Sequence, residues 1–220
     1  MNTSEPTSKF SFKGLLAFQN GRLNLLIWIF VIQLFFLFLL RTLLLIQTFS
    51  EIELDIGVFF KIYSIGLIYD LTFLLYFNAL IALFLFCFSQ NFYQKKFLYI
   101  GFQILLAILL SVFLFSTVAE WFFWDEFGVR LNFIAVSYLI YVTEVLNNIK
   151  QSYPLKIILF LLFLVSSIIL FFPRKKIYQC FVVKDSLTVR LKTLGIYFVI
   201  LILLGVLINQ KLRESNPNNS

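Results

Sequence analysis

Five long apolar runs organise the chain. They extend over Leu23 to Leu40, Leu71 to Ser89, Phe97 to Ala119, Ile157 to Phe172 and Leu191 to Ile208. Their lengths fall close to the roughly 20 residues an α-helix needs to cross about 30 Å of hydrocarbon. The first run follows a basic segment but is too long for a signal-peptide core, and no small-residue cleavage site follows it, so it reads as an uncleaved first span. The last two runs are short. Lys156 and Lys192 at their edges can lay their stems along apolar surface and place their ammonium groups at the interface, which lengthens the effective span.

Between the third and fourth runs the pattern changes. From Leu131 the apolar positions Ile134, Tyr138, Tyr141, Val145 and Ile149 recur every three or four residues, and Arg130, Ser137, Glu144, Asn148 and Gln151 lie on the opposite side. The spacing predicts an amphipathic helix over about 127–151. Its longest apolar stretch, Phe133 to Val142, is too short to cross a bilayer and is bracketed by Arg130 and Glu144. A helix lying on the outer membrane surface with its apolar face down fits better. Trp121 and Trp124 just before it, with Tyr138 and Tyr141 on it, are the expected membrane-interface anchors. The expected fold class is thus an all-α integral membrane protein with about five transmembrane helices and one amphipathic helix at the outer surface. Residues 1–22 form a cytoplasmic basic segment, 23–208 the five-span domain, and 209–220 an external polar tail that reads as a truncated linker.

Composition strengthens this picture. At 61% hydrophobic and 13% charged, the chain lies far from the roughly 45–50% and 25% of soluble globular proteins, and its mean hydropathy is +0.94. The 30 phenylalanines are explained by compositional habit sooner than by an aromatic ligand site. The net charge of +7 could suggest nucleic acid, but its placement points to topology instead and gives no nucleic-acid partner. With the amino terminus inside, the short inner segments hold Lys9, Lys13, Arg22, Lys95, Lys96, the cluster Arg174 to Lys176, Lys184, Arg190 and Lys192. Fewer cations are spread through the longer outer segments. The carboxyl terminus then lies outside, and the bacterial inner membrane is the expected location.

Chemistry-bearing residues are sparse. Histidine is absent, which removes the commonest general base and metal ligand. Asp70 and Asn78, at and inside the second run, could belong to an ion pathway, or could be a water-accessible interface carboxylate and an interhelical hydrogen bond. Glu120, Asp125, Glu126 and Glu144 offer enough carboxylates for a metal, yet Glu126 and Arg130 stand four apart, as in a routine helical ion pair. No phosphate-cradling glycine loop, nucleophile elbow or His/Cys cluster occurs. Cys87 and Cys180 are not expected to pair. No catalytic residue, metal ligand or cofactor is assigned to the chain.

One stretch carries a resemblance. Glu126-Phe127, Arg130 followed by Leu-Asn-Phe-Ile-Ala-Val-Ser-Tyr138-Leu139, then Glu144-Val145, Asn148-Ile149 and Ser152-Tyr153-Pro154 resemble the outer loop of the lipoteichoic acid synthase family. These are phosphoglycerol transferases related to sulfatases and alkaline phosphatases. Gly66-Leu-Ile-Tyr-Asp70-Leu71 is similar to that family's G-x-x-x-D-L segment before the second span. Ser137 departs from the pattern, which has Asp there. The resemblance implies a membrane-anchoring, lipid-presenting domain, with phosphatidylglycerol as the lipid and Arg130 and Lys150 as candidate head-group ligands, although the simpler and favoured explanation of those two cations is that they snorkel or pair with Glu126 and Glu144. It also implies a separate external catalytic domain using a divalent metal such as manganese. The family's catalytic threonine and metal ligands fall outside the region of resemblance. The alternative is a small self-sufficient polytopic membrane protein, a transporter subunit or assembly factor.

Overall fold

A computed structural model describes residues 21–49, 55–89, 92–93, 95–127, 154–182 and 185–215. Most of these residues are helical, and none of them lies in a strand: α1 (Arg22–Gln47), α2 (Ile56–Phe77), α3 (Ala79–Cys87), α4 (Lys96–Phe127), α5 (Leu155–Phe171), α6 (Arg174–Val182) and α7 (Leu187–Ser215). Four of them, α1, α2, α4 and α7, are long and apolar enough to cross a membrane, and α5 is a shorter apolar helix. All five apolar runs fall in helices.

The helix ends follow from local chemistry. Pro154 stands immediately before α5, where its missing N–H costs nothing. Pro173 separates α5 from α6, because its ring disfavours continuation of the helix before it. Ser186 caps α7 by accepting the Val189 amide on its hydroxyl at 3.3 Å.

Two elements differ from the sequence pattern. The second run was expected from Leu71, but its helix starts at Ile56 and reaches Cys87 with a bend at Asn78. One reading of Asp70 from sequence made it a water-accessible interface carboxylate just before the run. Asp70 is instead only 6% exposed, because α1 supplies it with a cation. The bend has a cause as well: the Asn78 backbone N–H and its side-chain amide both donate to Leu74 O, each at 2.9 Å. An Asx side chain that bonds back to the preceding turn competes with the helical ladder and tilts it. The Ala82 amide still donates to Asn78 O, so the helix resumes at once.

The second difference is α6, within a segment that read only as a basic loop. Ile177, Cys180 and Phe181 are buried on one side, and Arg174 and Lys175 are exposed on the other. Phe181 stacks on Tyr93 with ring centroids 4.2 Å apart, which docks α6 against the bundle.

In the bundle α4 lies along α5 and against α1, α1 meets α2, α3 and α6, and α7 packs on α2 and α3. The core is made by Leu25, Ile29, Leu85, Phe102 and Phe113 with their neighbours. Large apolar side chains such as Phe35, Phe160 and Leu203 point outward and are well exposed. An outer surface of that kind needs an apolar surrounding.

Candidate functional site

Two polar assemblies stand at opposite ends of the apolar bundle, with a third between them. At one end α1 carries Arg41 to α2. An Arg41 Nη donates to the Asp70 carboxylate at 2.6 Å, and both side chains are about nine-tenths buried. Its other Nη donates to Ile62 O at 3.4 Å. The guanidinium lies flat over Gly66, where a Cβ would stand 1.7 Å from Arg41 Nη1. Gly66 and Asp70 share one face of α2 because they are four residues apart, so the glycine opens the slot and the carboxylate anchors the cation lying in it.

This pair borders a cavity of about 790 Å³, lined also by Lys61, Tyr69, Thr117 and Glu120. The volume is in the range of small-molecule sites. Its polar wall contains two cations and two carboxylates, and the rest is apolar side chain from α1, α2 and α4. A further cavity of about 360 Å³, lined by Phe38 and Tyr63 among others, touches the same ion pair. Beside the site, the Thr42 and Tyr63 hydroxyls share a hydrogen bond of 3.0 Å. Gln47 donates to Asp125 at 2.9 Å, tying the end of α1 to the end of α4.

The other end is a helix terminus closed by side chains. The last carbonyls of α3 have no partners within the helix. Leu85 O and Phe88 O both accept from Arg22 Nη1, at 2.8 and 2.6 Å, and Phe88 O also accepts from Arg190 Nη1 at 2.6 Å. The Tyr93 hydroxyl donates to Phe84 O. Both guanidiniums are buried, and they suit the negative end of the helix dipole. Asp185 lies 3.8 Å from Arg22 Nε. Burial pushes the Tyr93 phenol far above its ordinary range, against the opposing pull of Arg22 and Arg190, so it stays a neutral donor. Burial likewise pushes the Cys180 thiol up, opposed by a hydrogen bond to the Gly21 backbone. Cys180 and the exposed Cys87 are both free thiols.

Between the ends, Asn78 Nδ2 donates to Gln33 Oε1 at 2.5 Å, with both residues at most 1% exposed. Asn78 Oδ1 has no hydrogen-bond partner. The Tyr197 hydroxyl of α7 donates to Leu75 O, in the turn before the bend.

Of the residues singled out from sequence, Trp121 and Trp124 lie half-buried in the last turns of α4. Arg130, Tyr138, Tyr141 and Lys150, with nearly all of the expected 127–151 helix, lie outside the described residues. Asp70 and Asn78 do find partners, Arg41 and Gln33. Arg41 was missed because it follows the first run and looked like the residue that ends it. The Gly66-x-x-x-Asp70 spacing was the available signal. Among the described residues no three His, Cys, Asp or Glu side chains gather where they could hold a metal ion. The divalent metal is implied by the resemblance only for an external domain, and no step is assigned through it. No family model, curated protein or solved structure matches the chain.

Proposed function

We propose that this chain is a five-span membrane domain that holds the head group of an anionic phospholipid in the Arg41–Asp70 cavity and presents it at the outer face. The cavity itself carries the reading: an apolar recess among helices able to cross a membrane, ending in Lys61, Arg41, Asp70 and Glu120. A phosphodiester is recognised by ammonium and guanidinium donors. A glycerol head group adds hydroxyls, which can donate to the two carboxylates and to Thr117. Phosphatidylglycerol supplies both.

Joined to the resemblance of 124–154 and of Gly66 to Asp70, this supports reading the chain as the anchoring and lipid-presenting part of a phosphoglycerol-transferase-like system whose chemistry belongs to a separate external domain. Placement of Lys and Arg supports a cytoplasmic amino terminus and an outer carboxyl terminus in the bacterial inner membrane. The decisive measurement is native mass spectrometry of the full chain in phosphatidylcholine micelles titrated with phosphatidylglycerol. Retention of one phosphatidylglycerol, weakened in Lys61→Gln, is the expected result. Equal retention of phosphatidylcholine would end the reading.

A second reading, a self-sufficient transporter subunit, is favoured by the Gln33–Asn78 pair at a bent helix. Solute flux into liposomes that is abolished by Asn78→Leu, with no lipid selectivity, would select it.

A further inference from the structure

The end of the bundle opposite the Arg41 cavity holds a second recess. Along α4, Tyr99 and Glu120 are separated by about 31 Å of helix, close to the thickness of a bilayer core. Glu120 lines the first cavity, and Tyr99 lines a groove of about 680 Å³ between α4 and α5, closed above by α6. The two recesses are therefore separate sites on opposite sides of the apolar layer.

The groove changes character along its length. Its deep part is walled by Ile104 and Phe163, both exposed apolar residues on neighbouring helices. Its mouth is polar: Gln103 donates to the Tyr99 hydroxyl at 2.7 Å, that hydroxyl donates to Arg174 O at 3.1 Å, and Tyr178 and Gln179 line it as well. The mouth also carries charge. Arg174 and Lys175 are exposed, and neither makes an ion pair with a carboxylate among the described residues. The Arg174 guanidinium lies over the Phe171 ring, 4.0 Å from its centroid. Such stacking fixes the plane of the group and leaves its N–H donors directed outward from the edge.

An apolar groove that opens beside two cations without a carboxylate partner among the described residues, at the level where the helices end, is complementary to one kind of molecule. We propose that this groove binds an anionic phospholipid of the leaflet at that end of the bundle, with one acyl chain lying between α4 and α5 along Ile104 and Phe163 and the phosphate on Arg174 and Lys175. A lipid of the general boundary layer would need neither the slot nor the charge pair. This site is independent of the lipid proposed for the Arg41 cavity.

Photolabelling tests it. The full chain is placed in phosphatidylcholine nanodiscs that contain a little phosphatidylglycerol carrying a diazirine on one acyl chain. Labelled peptides should map to α4 around residue 104 and α5 around residue 163. Unlabelled phosphatidylglycerol should compete and phosphatidylcholine should not. Arg174→Gln and Lys175→Gln should each lower labelling there about fivefold, the typical effect of one basic residue beside an anionic membrane surface. Ile104→Trp, which fills the groove from an exposed position, should abolish it, while labelling of the groove in Lys61→Gln stays at the wild-type level. Equal labelling by a phosphatidylcholine probe, or labelling unchanged in both charge variants and in Ile104→Trp, would overturn the proposal.

Discussion

The Asp70 carboxylate and the Arg41 guanidinium meet at 2.6 Å between two apolar helices, and the residue that allows it is Gly66, one turn earlier on α2. Any side chain at 66 would occupy the space of the guanidinium. Arginine is flexible, so the clash alone could be relieved cheaply. The guanidinium is held, however, by Asp70 and Ile62 O, and moving it strands a buried carboxylate. Gly66→Ala and Asp70→Asn should therefore destabilise the folded chain by similar amounts, of the order of 3–5 kcal/mol for breaking a buried pair. The double change Arg41→Met with Asp70→Leu should cost much less than the two single changes summed. Unfolding in mixed micelles, followed by circular dichroism, measures all five variants. A Gly66→Ala variant as stable as wild type would show that the guanidinium is not held in place.

Asn78 sets the bend in the α2–α3 helix by giving Leu74 O a second donor. Asn78→Leu removes that donor and the bond to Gln33. It should straighten the helix, and it leaves the Gln33 amide alone in an apolar setting, at a net cost of about 0.6–1.7 kcal/mol, the span measured for interhelical hydrogen bonds in membranes. Spin labels at positions 61 and 83, on either side of the bend, should move apart in the variant. Replacing Gln33 with Leu as well should restore much of the stability without restoring the bend. An unchanged label separation in Asn78→Leu would locate the cause of the bend elsewhere.

The helices and the apolar exterior were legible because a long apolar helix leaves a long signal: five runs, all found in helices, the second divided at Asn78. Boundaries were less legible where a charge found a partner. Asp70 looked like the polar limit of a span, and only the neighbouring helix makes it part of the interior. Arg22 and Arg190 were counted among flanking cations that set topology, and both are buried on the end of α3. Nothing in the sequence around either residue names Phe88 O as a common target, since the contact from Arg190 spans 102 positions. Helix α6 was hidden because three basic residues open a nine-residue element. Its buried positions, Ile177, Cys180 and Phe181, keep the spacing of an amphipathic helix and could have been read.

The closed end of α3 makes a ranking testable. Arg22 serves two carbonyls and Arg190 serves one, and they share Phe88 O. Arg22→Ala should cost more than Arg190→Ala, at about 1.5–3 kcal/mol per lost charged hydrogen bond. The second substitution should cost more in the absence of the first arginine, because Phe88 O then has neither guanidinium. Arg22→Lys should rescue little, a single ammonium being unable to replace the planar fork. Thermal unfolding of the four variants checks this order, and Arg190→Ala costing as much as Arg22→Ala would contradict it.

Thiol chemistry tests the docking of α6 and carries a pH dependence. Cys180 is fully buried and its pKa is raised by that burial, whereas Cys87 is exposed. At pH 7.5 a small permeant maleimide should modify one thiol per folded chain, Cys87, and two after denaturation, because the thiolate is the reactive form and Cys180 is both neutral and shielded. The sign of the linkage follows from the raised values. Cys180 and Tyr93 bind their protons more tightly folded than unfolded, so their contribution is complete below the unfolded-state values and is lost as pH rises through the folded ones. Stability should therefore fall on the alkaline side, above about pH 8.5 where an unperturbed cysteine ionises. Cys180→Ala combined with Tyr93→Phe should flatten that alkaline fall, although Tyr93→Phe also removes the bond to Phe84 O and lowers stability at every pH. Labelling of Cys180 at pH 7.5 as fast as Cys87 would mean that α6 does not rest on the bundle, and the roof of the α4–α5 groove would go with it.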